Sequence, residues 1–361
     1  MANTNISWWR IEFGEDDIQK VAESIRNENV SMGLITAEFE ARLAEALGVP
    51  YVVATTNGSI AILIALMALD IKEGDEVIVP NRTWIATAHA PMMLGAKVVL
   101  VDVHADRPIM DVSKIREKIT SRTKAIIPVP LNGRAVEMQE VWKIAAEYGL
   151  HVVEDAAQGL FSKCAGAYIG TESDAGCFSM SIAKLIPTGQ GGFVATKRKD
   201  IYEKLRSLRT HGVEDVNSGT PYLNMGFNFR ITDLQTSLGL AQLGKVADRI
   251  EKLKALYLRY EAKLEGLDSV QLIPVDIARG EVPLYIEVLC QRREELRKHL
   301  ITAGVQTRPF YPNIETAAHL DVAGDFPNSR VFDEQGLVLP SGPDQPSENV
   351  DRVVEALDSF G

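Results

Sequence analysis

Short β-branched runs alternate with longer helical stretches about six times before residue 200, and this alternation leaves the chain few architectures to choose from. The runs "YVVATT", "EVIVP", "KVVLVDV", "KAIIPVP" and "HVVEDAA" read as strands. Between the first two, "NGSIAILIALMALD" is apolar on every side, so it reads as a buried helix opened by Asn57 and Gly58. "TWIATAHAPMMLG", ending at Gly95, "DVSKIREKI" and "VEMQEVWKIAAEYG" read as further helices. The pattern predicts an α/β fold in which residues 1–244 form a large domain around a doubly wound, mostly parallel sheet. In such a sheet ligands sit at the carboxyl ends of the strands.

From Lys245 the run "KVADRIEKLKALYLRYEAKLEG" reads as a helix solvated on one face, and it opens a smaller α+β domain over residues 245–361. A hydrophobic fraction of 46% with 24% charged residues is that of an ordinary folded protein. The net charge of −11 sets up a field that repels polyanions, which excludes a broad nucleic-acid or anionic membrane surface. One phosphate-bearing small molecule is still compatible with it. Cys164, Cys177 and Cys290 are odd in number and lack CxxC spacing, so they read as reduced thiols rather than a disulfide framework or a zinc site. The histidines show no HxxH or HExxH spacing, and no metal is expected. The start "MANTNISWWRIEFGEDD" has no basic stretch followed by an apolar one, and no later run reaches the roughly 18 apolar residues of a membrane span, so a cytoplasmic placement is expected.

In "CFSMSIAKLIPTGQGGFVAT" a single amine, Lys184, stands among small, hydroxyl and apolar residues. It is either a surface lysine or an amine whose charged form burial disfavours, and the second kind is a nucleophile toward an aldehyde. The strand "VVED" ends in Asp155, which serves either as a cap or as the partner of a buried cation. Together the two match the pyridoxal phosphate arrangement, a lysine Schiff base with an acidic partner on the pyridinium nitrogen. In "TTNGSIA" the amides of Gly58, Ser59 and Ile60 open a helix, a seat for a phosphate or simply a helix start. Trp84, just past a strand end, packs in the core or covers a flat ring.

These segments, together with "SMGLITAEFEARLAEALG", "GDEVIVPNRTWIATAHAPMMLGAKVVLVDV", "MGFNFRITDLQTSLGLAQL" and "GVQTRPFYP", resemble the DegT/DnrJ/EryC1/StrS sugar aminotransferases, fold type I pyridoxal phosphate enzymes, over nearly the whole chain. The resemblance implies that Lys184 is the Schiff-base lysine and Asp155 the pyridinium partner. It implies that Gln158 bonds the cofactor's phenolic oxygen, that Trp84 stacks on its ring, and that Ser59, Ile60 and Ser179 hold its phosphate. Asn228 matches the position that reaches into the neighbouring subunit's site, which implies a homodimer with shared active sites. Arg230, Arg308 and Tyr311 are candidate substrate contacts, and "TRPFYP" is similar to the tail of perosamine-type synthases. Two departures border the substrate cavity: Ser181, Ile182 and Ala183 before the lysine, and Leu131, Asn132 and Gly133 where many members carry an aromatic before a glycine.

The expected activity is conversion of a keto group on a nucleotide-linked deoxysugar to an amine, with glutamate as donor, in amino-sugar or surface-polysaccharide biosynthesis. Alternatives on the same scaffold are a cyclitol or octulosonate acceptor and sugar dehydration. The family's dehydratase branch carries histidine in place of the lysine, and Lys184 argues against it. A regulatory protein without turnover is the alternative from another class, and the intact set Lys184, Asp155, Gln158 and Ser179 weighs against that.

Overall fold

The computed structural model describes residues 5–214, 219, 221–322 and 324–360. Helices α1 (Glu15–Arg26) and α2 (Leu34–Leu47) lead into β1 (Tyr51–Thr55), α3 (Gly58–Ala68), β2 (Glu76–Pro80), α4 (Ala86–Met93) and β3 (Lys97–Val101). Next come β4 (Thr123–Ile126), α5 (Met138–Tyr148), β5 (His151–Asp155) and a small hairpin of β6 (Lys163–Cys164) and β7 (Ala167–Tyr168). β8 (Ala175–Ser179), β9 (Gly192–Thr196), α6 (Lys199–Arg209) and α7 (Asp233–Leu243) complete this part. Its main sheet has the order β1-β9-β8-β5-β4-β2-β3. β9 runs antiparallel to β1 and β8, and every other neighbouring pair is parallel. This is the mostly parallel, doubly wound α/β sheet expected.

Successive side chains of a strand point to opposite faces, and the core follows that rule. Val77 and Val79 of β2 pack with Ala61 and Ala65 of α3 and Ala88 of α4. Ile78, between them, packs on the other face with Val141 and Ile144 of α5. A strand covered on both faces has no solvated side to fill with polar residues, and β2 is buried at every position. Each Val, Ile or Phe so buried contributes roughly 1.5–3 kcal/mol of transfer free energy. On the β1–β9 side, Val52, Ala54 and Phe193 meet Phe39 and Leu43 of α2.

The helix expected at "DVSKIREKI" is instead two short 3-10 turns, Val112–Lys114 and Arg116–Lys118. Val112 and Ile115 are both buried, and their spacing of three residues suits a 3-10 turn.

Past Gly244 the chain forms α8 (Val246–Leu264), β10 (Gln271–Leu272), β11 (Ile286–Leu289), α9 (Arg293–Thr302), β12 (Arg308–Pro309), α10 (Pro327–Gln335), β13 (Gly336–Leu339) and α11 (Ser347–Asp358). The strands make an antiparallel sheet ordered β10-β11-β13-β12. Leu256, Leu296, Leu300, Val350 and Val353 close its core. The amino-terminal segment returns to this second unit, although the sequence reading groups it with the first. Ile6 bridges to Val305 and Trp9 to Ser341, and Ile6 joins the second unit's core.

Candidate active site

The carboxyl ends of β5 and β8, the start of α3 and the loop from β8 to β9 border one cavity of about 790 Å3. The second unit covers it with residues 308–312. Gly58, Ser59, Trp84, Asp155, Gln158 and Ser179 all line it, as do Lys184, Arg308 and Tyr311.

Asp155 closes β5 and is 5% exposed. Its Oδ2 accepts from Thr87 Oγ1 at 2.6 Å and its Oδ1 from the Ala157 amide at 3.3 Å. Burial pushes its carboxyl above the usual range, against the opposing pull of those two donors and of the Lys184 charge. A carboxylate in such a place lowers its energy by facing a cation.

Lys184 is half-buried, and desolvation of its ammonium brings its pKa down to about 8, opposed by the charge of Asp155. That shift puts the neutral, nucleophilic amine within reach near neutral pH. The residue stands on neither helix nor strand. Its neighbours are held instead by their carbonyls. Trp9 Nε1 donates to Ile182 O at 3.1 Å, the Tyr285 hydroxyl to Ala183 O at 2.9 Å and Arg249 to Leu185 O at 3.1 Å. The Thr188 amide returns to Met180 O at 2.9 Å, and the Met180 amide donates to Gly191 O at 2.8 Å, so the loop also closes on itself.

Asn57 caps α3, its Oδ1 accepting from the Ile60 amide at 2.9 Å. One expectation is corrected by this: the Ile60 amide is already engaged and is not a free phosphate donor. The Gly58 and Ser59 amides are the first two of the helix and have no intrahelical acceptor. A Cβ at position 58 would stand 2.9 Å from Ser179 Cβ, and one at Gly192 would stand 2.4 Å from the Asn57 carbonyl carbon. Only glycines let the helix start, β8 and β9 approach so closely. The cradle that results combines amides, a helix dipole and the Ser179 hydroxyl, which is a donor set for a phosphate group.

Trp84 stays 56% exposed, its ring edge-on to Tyr311 with centroids 5.5 Å apart. Gln158 Oε1 accepts from the Asn132 amide at 2.9 Å, which leaves its side-chain nitrogen to donate. Asn132 itself has φ 55, a left-handed conformation that asparagine tolerates. Its side chain accepts from the Tyr285 amide at 2.7 Å and donates to the Tyr285 carbonyl at 2.8 Å. The segment Leu131-Asn132-Gly133 therefore joins Gln158 to the second unit.

Asn228 and Arg230 are not brought into this cavity. Asn228 is exposed and bridges to Thr210, and Arg230 Nη1 is buried without a partner among the described residues. Sequence reasoning missed Thr87, Trp9, Tyr285 and Arg249. Thr87, in the first turn of α4, follows Thr83 by four residues, with a hydroxyl–hydroxyl contact of 2.9 Å, and that pairing is a local signal. The other three act from distant segments and leave no local trace. Among the described residues no helix is long and apolar enough to cross a membrane, and no cluster of three His, Cys, Asp or Glu side chains forms a metal site.

A desolvated amine, a buried carboxylate, an open aromatic face and a helix-borne phosphate cradle are together the requirements of a pyridoxal phosphate-dependent enzyme. Comparison with known proteins bears on which kind. The model of the DegT/DnrJ/EryC1/StrS aminotransferase family matches residues 12–358. GDP-perosamine synthase of Escherichia coli O157:H7 is 34% identical over 332 residues, 91% of this chain and 91% of that protein. The dTDP-3-amino-3,4,6-trideoxy-alpha-D-glucose transaminase of Streptomyces venezuelae is 33% identical over 328 residues, 88% of this chain and 85% of that one. The crystal structure of S. venezuelae DesV in complex with a ketimine intermediate superposes with a TM-score of 0.89 at 30% identity, over 95% of this chain and 94% of that chain. The chain belongs to the DegT/DnrJ/EryC1/StrS family, as a fold type I sugar aminotransferase whose cofactor is pyridoxal 5'-phosphate.

Proposed function

We propose that the protein transfers an amino group from glutamate to a keto carbon of a nucleotide-linked deoxysugar, as a step in amino-sugar or surface-polysaccharide biosynthesis. One observation carries this reading: Lys184 and Asp155 line the same cavity, and burial lowers the pKa of the amine. When bound, the cofactor supplies an aldehyde carbon for the amino group and a ring that accepts electron density. Lys184 would anchor it and, once released, Nζ would take the proton of the donor's α-carbon and deliver it to the carbon that carried the aldehyde, as general base and then general acid. Asp155 holds the proton on the ring nitrogen, and Thr87 and the Ala157 amide hold Asp155 in place. Gly58, Ser59 and Ser179 seat the phosphate, Gln158 donates to the phenolic oxygen, and Trp84 covers one face of the ring.

Glutamate as donor is supported by Arg308, which lines the cavity 4.3 Å from the Trp8 ring and forms no ion pair among the described residues. Its guanidinium offers two parallel donors to a carboxylate or to the sugar nucleotide's phosphates. Tyr311 adds a half-buried phenol to the same cavity. A homodimer is supported by Tyr222, Leu223, Met225 and Phe227, all exposed, with Met225 at 79%. So many large apolar side chains in one stretch suit burial against a second copy. They lie just before Asn228 and Arg230, which in this reading serve the neighbouring subunit's site. The cysteines are free, as in a reducing cytoplasm.

The test is a panel of nucleotide-activated 3-keto and 4-keto sugars, each mixed with the holoprotein and glutamate and analysed by product mass. An amino sugar from one of them is the expected result, and a deoxygenated product would move the protein to the dehydratases. Lys184→Ala is expected to purify as a folded dimer without turnover, and appreciable remaining activity overturns the assignment.

A further inference from the structure

Arg82 follows β2 and is 1% exposed, yet it forms no ion pair among the described residues. Its Nη1 donates to the Tyr311 carbonyl and, at 3.1 Å, to Asn313 Oδ1. Its guanidinium carbon lies 4.7 Å from the Phe310 ring centroid and 4.5 Å from that of Tyr311. Asn81 adds two bonds beside it, accepting the Ile314 amide at its carbonyl and the Glu315 amide at Oδ1, each at 3.0 Å. Through Asn81 and Arg82 the end of β2 grips residues 310–315 of the second unit.

The grip is not one that stability alone favours. A buried guanidinium without a paired carboxylate is desolvated without full compensation, and Arg82 Nε is buried with no hydrogen-bond partner among the described residues. An aliphatic residue at position 82 would seal the same seam without a desolvated charge, although it would leave the Tyr311 carbonyl and Asn313 Oδ1 without their donor. What Arg82 does that an aliphatic residue cannot is fix both the carbonyl and the ring of Tyr311. That ring meets Trp84 edge-on, and it lines the same cavity as Gln158, whose side chain acts on its phenol.

We infer that Arg82 is a positioning residue: it holds Tyr311 so that Trp84 and Gln158 are set against the face and the phenolic edge of the cofactor ring. The inference rests on the site roles proposed above.

Its test is an equilibrium titration of the apoprotein with pyridoxal phosphate, read by visible absorption and induced circular dichroism. Arg82→Met keeps the length of the side chain and removes its donors, and Arg82→Lys keeps the charge and removes the plane. Each is expected to raise the cofactor Kd about tenfold, the size of a lost charge-assisted hydrogen bond. In a Tyr311→Ala background the same Arg82→Met change is expected to alter Kd by less than about twofold, because the ring it acts through is gone. Equal factors in the two backgrounds, or no change in either, overturn the inference. Asn313→Ala removes one acceptor and spares the guanidinium, so it covers the case of misfolded Arg82 variants. It should shift Kd the same way, and an unchanged value counts against the role. A wild-type apoprotein that takes up no pyridoxal phosphate sinks the functional reading itself, an outcome visible before any variant is made.

Discussion

The two sides of the cavity are built by different means. On one side Asp155, Ser179, Gly58 and Ser59 sit at strand ends and a helix start, where the sheet ladder and the helix fix the backbone. On the other side Trp9, Tyr285 and Arg249 reach across from the amino terminus and from beyond residue 244 and hold single carbonyls of the Lys184 loop. A ladder fixes a residue by many bonds at once, so a side chain lost there changes the chemistry and spares the geometry. A loop tied by single bonds moves when one of them is lost.

With Lys184 itself left in place, Asp155→Asn has the largest expected effect on turnover and is the sharpest probe of the first side. The amide oxygen still accepts from Thr87, so the fold should hold, but the charge that keeps a ring proton in place is gone. Turnover is expected to fall by about 10²–10⁴-fold, the range of a lost acid–base function. Steady-state kinetics on the reconstituted enzyme checks it, and a loss under about threefold would remove Asp155 from its role.

Lys184→Met probes the loop through its charge, in the apoprotein. The folded amine titrates near 8 and an unfolded lysine near 10.5, so burial penalises the folded state fully below pH 8. Between those values the unfolded chain binds more protons, and the wild-type apoprotein gains stability as pH rises. The methionine variant should therefore be the more stable at pH 7, by on the order of 3 kcal/mol, with the gap closing as the pH passes 10.5. Urea unfolding across that range measures the gap, and a constant difference would mean that the amine is not desolvated.

The same contrast explains what the sequence reveals. Asp155 and Gly58 are legible because each occupies a fixed place in a strand or cap pattern, and period and cap chemistry are local properties, whereas Ser179 enters only through the family resemblance. Lys184 reads as a candidate only together with Asp155 and the family resemblance, since a lone lysine among uncharged residues reads equally as a surface residue. Tyr285 is not legible, because nothing in "PLYIEV" records that its hydroxyl ends 2.9 Å from the carbonyl of Ala183. Ile60 shows the reverse error. Its amide was assigned to a ligand, but the Asn57 side chain claims it first, a competition that a list of helix-start amides does not display.

Tyr285→Phe tests whether single ties matter. It leaves the Ala183 carbonyl without its donor, at a cost of about 2 kcal/mol, and frees the backbone next to Lys184. Both stability and turnover should fall, the second by severalfold, with the cofactor still bound. If stability falls and turnover does not, the loop is rigid without this tie and the contrast between the two sides weakens.

Asn57→Ala is the smallest effect and tests the first side at its backbone. Loss of the cap should lower apoprotein stability by about 1 kcal/mol. The Ile60 amide, released from Asn57 Oδ1, then faces the cradle beside Gly58 and Ser59 and becomes a third donor to a bound phosphate. The variant should therefore lose less stability with cofactor than without it, as read from unfolding midpoints of both forms. An equal or larger loss in the holoprotein would mean that the Asn57 side chain itself serves the site, and that the helix start is not the self-sufficient cradle its geometry describes.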